Sequence, residues 1–232
     1  HFEKMNCTAC HSGTWPQEEP GRWRTAEMHK LGLHGKHKQD LRQPHVYAPV
    51  LLKGADGKIG SHYLVWPAFW AAMNNDDTIT PIPPAKVLDA AKALLSAEVE
   101  RQDDWRPLTE EQVAQVLELL EKMQLDGRAV YIAGGKLYQR TDDGTVQASA
   151  HPAAGAYAWP LAHDVRPAEQ SLGVRSCADC HTTDSPFFFA GVEMDSPVQG
   201  DKQFVKMVEL QGIDRFYMWA FNASFIPITA GA

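Results

Sequence analysis

Apolar residues recur with a helical period in two neighbouring stretches. Val87, Leu88, Ala91, Leu94 and Leu95 share one face of a segment that Pro84 opens and that runs to about residue 100. Val113, Val116, Leu117, Leu120 and Met123 stripe a second segment, which Thr109 and Gln112 open as a capping box and Gly127 closes. The connection between them is short, so the pattern predicts an antiparallel helical hairpin whose stripes are core. Two further stretches read as β-hairpins. One spans Val46 to Trp66, with the turn at Gly54-Ala55-Asp56-Gly57. The other spans Ala129 to Ala148, with Gly134-Gly135 and Asp143-Gly144 as turn signals. Shorter helices are expected over Arg24 to Leu31 and Pro167 to Leu172. These elements predict a mainly α protein with long loops and two short β-hairpins.

The last stretch, Phe216 to Ala232, has no charged residue and is mostly apolar. It falls short of the roughly twenty residues that span a bilayer. Phe216, Tyr217 and Trp219 at its start suit an interfacial belt. The expected organisation is one domain over residues 1–215, followed by an apolar segment over 216–232 that begins a membrane attachment or is buried. Net charge is −7, with nothing resembling a basic stripe, so nucleic acid is not an expected partner.

All four cysteines lie in two short motifs, Cys7-Thr8-Ala9-Cys10-His11 and Cys177-Ala178-Asp179-Cys180-His181. Cys-x-x-Cys-His is the attachment signature of c-type haem. Its two thiols form thioethers with one porphyrin, and the adjacent histidine lies under the iron as proximal ligand. Zinc also takes Cys and His ligands, but four-ligand sites seldom place His directly after the second Cys in both halves. The motifs therefore predict two covalent haems c, held by Cys7, Cys10, Cys177 and Cys180, with His11 and His181 on iron. They also predict a haem-organised core with the chain ends brought together. Haem is attached to such motifs outside the cytoplasm, so the expected compartment is the periplasm or an equivalent space.

The far side of each iron decides between electron transfer and substrate binding. Eight further histidines are available: His1, His29, His34, His37, His45, His62, His151 and His163. His163 leads, in the segment His163-Asp164-Val165-Arg166-Pro167 just before the second motif. From about residue 159 to 189 the chain resembles bis-histidine multihaem c-type cytochromes, including the octahaem tetrathionate reductase family. There a His-x-Val-x-Pro segment and a helix ending in Leu lead into Cys-x-x-Cys-His. The resemblance implies that His163 is a distal ligand and leaves open which iron it serves. This chain has fewer haem motifs than those families, so their catalysis is not implied.

For the other iron His29 and His151 rank first, with Met5, Met28 and Met194 as thioether alternatives. His29 follows the first motif on an expected helix, and His151 precedes Pro152 on the way to His163. Arg166 and Arg175 are candidates to pair with propionates, Asp164 and Asp179 to orient imidazoles, and Phe187, Phe188 and Phe189 to wall the porphyrin. His45 is expected to be structural or exposed. The favoured function is electron transfer between a donor and an acceptor protein. The alternative is a dihaem peroxidase-like enzyme with one open haem, although none of its characteristic stretches occurs outside the motifs.

Overall fold

The computed structural model describes residues 1–24, 45–96, 107–214 and 216–220. The long apolar runs in this chain form strands, and the strands form three antiparallel sheets. In the first sheet the order is β1 (Gly21–Arg24), β2 (His45–Lys53), β3 (Ile59–Val65) and β9 (Tyr157–Pro160). The second has five strands: β5 (Ile79–Pro81), β4 (Ala68–Met73), β6 (Arg128–Ala133), β7 (Lys136–Arg140) and β8 (Val146–Ser149). A small third sheet pairs β10 (Gly191–Glu193) with β11 (Phe204–Lys206).

The expectation of a mainly α protein is therefore corrected to a mixed, β-rich fold. Among the described residues only two helices exceed five residues, α2 (Pro84–Ser96) and α3 (Glu110–Glu121). The others are α1 (Cys7–His11), α4 (Pro186–Phe189), α5 (Met207–Leu210) and a turn at 216–220. The cause lies in strands too short or too uniformly apolar to show a period. β4 reads Ala-Phe-Trp-Ala-Ala-Met, which alternation cannot separate from a helix segment. It becomes a strand because β5 and β6 flank it, and Trp70 lies opposite Tyr131 with ring centroids 3.9 Å apart.

The two predicted hairpins are present, the second extended. β2 and β3 pair across the Gly54–Gly57 turn. The region from 128 to 149 uses both of its turn signals and so forms three strands. Gly134 and Gly135 take positive φ at the first turn, as a tight two-residue connection between twisted strands requires. The capping box forms as predicted: Thr109 Oγ1 accepts from Gln112 N at 3.2 Å, and Thr109 N donates to Gln112 Oε1 at 2.8 Å. α2 and α3 pack on each other, and α3 lies on β6, β7 and β8. Val113, Val116, Leu117 and Leu120 are buried beneath it with Trp70 and Tyr131.

Two local expectations change. Arg24 ends strand β1, and the rest of the expected helix to Leu31 lies outside the described residues. Pro167 to Leu172 forms a single 3-10 turn at Ala168–Gln170 rather than a helix. Its last amide is taken by another part of the chain, since Leu172 N donates to Cys10 O at 3.0 Å. At the C-terminal side, Met218 is buried against the core of the first sheet while Phe216, Tyr217 and Trp219 are exposed. Among the described residues no helix is long and apolar enough to cross a membrane.

Candidate haem site

Each motif is shaped by a local cap. Asn6 Oδ1 accepts from Thr8 N at 3.1 Å and opens α1, whose single turn sets Cys7 and Cys10 on one face. Ala9 points the other way into the core, and Ser61 Oγ on β3 donates to Thr8 O at 2.9 Å. At the second motif Ser176 Oγ accepts from Ala178 N at 3.2 Å and starts a 3-10 turn over Cys177–Asp179. Asp179 is neither a solvated carboxylate nor an imidazole partner. Its side chain accepts from Gly173 N at 2.9 Å and pairs with Arg175 Nε at 3.3 Å, which closes the loop ahead of the motif.

The segment before the second motif is bonded along the first. Gly13 N donates to Asp164 O at 3.2 Å, Ser12 bridges Val165, and Arg166 N donates to His11 O at 2.6 Å. Arg166 Nη2 also donates to Cys10 O at 2.7 Å. Trp15, just beyond the first motif, receives both cations: the Arg175 guanidinium stands 4.0 Å from its ring centroid and that of Arg166 5.7 Å. The two motifs, distant in sequence, are thus one structural unit.

Between them lies a cavity of about 490 Å³, lined by Cys10, Cys177, Cys180 and His181 together with Leu172, Phe187, Phe188, Met5 and Met218. Its size falls within the roughly 300–1,000 Å³ of small-molecule and cofactor sites. Phe187 and Phe188 line the cavity, and Phe189 does not. Cys7 and Cys177 are exposed, and all four thiols are free. Burial raises the Cys10 thiol above its ordinary value, with the Arg166 cation acting in the opposite sense. Burial, reinforced by Cys10, Asp179 and Cys177, pushes Cys180 up to about 12. Both are therefore neutral thiols at pH 7, unlike the low-pKa thiolate of a catalytic cysteine.

Two features fit a haem. His11 Nδ1 lies 3.1 Å from Arg166 O, which can only accept, so Nδ1 carries the proton and Nε2 keeps its lone pair for a metal. In addition, Arg166 Nε and Nη1 are buried without a hydrogen-bond partner among the described residues, so this guanidinium has donors to offer a propionate. Arg175, by contrast, is engaged with Asp179 and Trp15. Among the described residues no three His, Cys, Asp or Glu side chains converge as a metal-ion site.

The remaining histidines are spread widely. His163 is exposed and is not among the residues that line the cavity around His181. His151 Nδ1 accepts from Ala153 N at 3.1 Å, which caps a 3-10 turn packed on β6 and β7. With that lone pair engaged, the neutral tautomer carries its proton on Nε2. His29, His34 and His37 lie outside the described residues. His45 is buried rather than exposed, with Nδ1 2.9 Å from Asp195 Oδ2, and His62 Nδ1 donates to Gly60 O at 2.8 Å. Sequence reasoning gave no special place to His1 or Trp15, and no motif marks either. Only their contacts across the chain bring them to the site.

Comparison with protein-family models, curated proteins and solved structures gave no significant match.

Proposed function

We propose that this chain is an electron-transfer domain carrying two covalently attached haems c, and that it works outside the cytoplasm between a donor and an acceptor protein. The observation that carries the reading is the meeting of both Cys-x-x-Cys-His motifs at one apolar cavity, with Cys10 of the first and Cys177, Cys180 and His181 of the second in its wall. When bound, haem supplies one-electron chemistry. The chain's own part is to hold, bury and orient. Cys10 and Cys180 anchor the inner edges against the core, while Cys7 and Cys177 put the outer attachment points at the surface where a partner can approach. His11, fixed by the Arg166 carbonyl, presents Nε2, and Arg166 offers a cation to an acidic group. Apolar walls of Leu172, Phe187 and Phe188 lower the local polarity, one of the means by which a protein tunes a haem's potential.

Mass spectrometry of the denatured protein tests this directly. The expected result is the chain plus two haems, with the pyridine haemochrome band of a thioether adduct. A mass equal to the bare chain, or to chain plus zinc, overturns the proposal.

A further inference from the structure

We infer that His1 is the sixth ligand of the iron held at the second motif, on the face opposite His181; this rests on the haem reading above. The two imidazoles lie nearly parallel, 14° apart, with ring centroids separated by 6.0 Å. A metal–imidazole bond of roughly 2 Å, carried on to the ring centre on each side, places two trans imidazoles with centroids about 6 Å apart. Aromatic rings packed directly also reach separations of about 4.5–7 Å. What distinguishes this pair is its place, because both rings line the cavity that holds Cys177 and Cys180.

His1 is not a loose end. Its carbonyl accepts from Lys4 N and Met5 N, both at 2.8 Å, and Lys58 Nζ donates to Phe2 O at 2.8 Å. The next residues are tied to the start of β3: Ile59 N donates to Lys4 O at 2.8 Å, and Asn6 N donates to Ile59 O at 3.0 Å. The same strap then enters α1. A ligand for the second haem is therefore carried on the segment that attaches the first. His163 and His151 do not line this cavity, so His1 is the histidine that the fold offers to His181 among the described residues.

The test uses the full holoprotein with His1→Ala and His1→Met. Haem content is measured first by pyridine haemochrome. In His1→Ala about half of the low-spin ferric signal in electron paramagnetic resonance should be lost, because one of two haems becomes high-spin. That haem should bind carbon monoxide when reduced, and added imidazole should restore the low-spin signal, which a merely structural residue would not allow. His1→Met should keep both haems low-spin while the midpoint potential of one rises, since a thioether favours the ferrous state. Full haem content with an unchanged low-spin signal in His1→Ala overturns the ligand assignment alone. Wild-type protein without covalent haem overturns the assignment together with the reading beneath it.

Discussion

At the level of single residues, Arg166 has the most diverse role. Its backbone N–H bonds His11, its carbonyl orients the His11 ring, and one guanidinium nitrogen bonds Cys10 O, while the two others have no hydrogen-bond partner among the described residues. A cation beside a haem favours the reduced form, which carries one more negative charge. Arg166→Gln should therefore lower the midpoint potential of the first-motif haem by some tens of millivolts, where about 59 mV corresponds to a factor of ten for one electron. The backbone contacts survive the substitution, so the haem content should not change. Potentiometric titration followed by absorbance checks both points, and an unchanged potential would remove Arg166 from the site's electrostatics. Asp179 acts on a different bond set, holding the Gly173–Arg175 loop closed from inside the second motif.

Among the elements, α3 is the best specified and the simplest to test. Its amphipathic stripe is buried on the five-stranded sheet, and its first turn carries Glu110 and Glu111 near the positive end of the helix dipole. Thr109→Ala removes one half of the capping box and should cost about 1 kcal/mol. Urea unfolding should show a lower midpoint with an unchanged slope. Because the helix stands over the second sheet, away from the motifs, the haem spectrum should be the same as in wild type. The strands tell a different story. β4 and β6 are buried almost throughout, and their pairing comes from neighbours rather than from any alternation in their own residues.

For the whole molecule, the core divides into a cluster around the cavity and others within the five-stranded sheet. The first cluster includes Leu172, Phe187, Met207 and Met218, drawn from parts of the chain with little regular structure of their own. Such parts are expected to depend most on a bound cofactor, since ligand binding stabilises the state that holds it. The double variant Cys177→Ser/Cys180→Ser should lose one haem. Amide hydrogen exchange should then rise in residues 1–13, 164–181 and 207–218 while β4, β6 and β7 keep their protection. A uniform rise across all of these would show that the molecule opens as one unit.

The candidate chemistry was legible in the chain because Cys-x-x-Cys-His is local: two thiols and an imidazole are fixed in spacing by covalent sequence alone. The α2–α3 region was legible for the same reason, since helix periodicity and the Thr109–Gln112 capping box act within a few residues. The sheets were legible only in their two hairpins, whose turns are local. Strand pairings such as β3 with β9 or β4 with β6 join distant segments, and short apolar strands leave no period to read. The predicted helix before the second motif stops at one 3-10 turn, whose amides Gln170 N and Ser171 N bond Pro167 O and Ala168 O, because the next amide, Leu172 N, bonds Cys10 O across the chain. Only the tertiary structure set His11 against Arg166, His1 against His181 and Trp15 beneath two arginines. Local sequence specifies which groups are present and how they are capped, but contacts between remote segments are decided by the burial and hydrogen bonding of the folded chain as a whole.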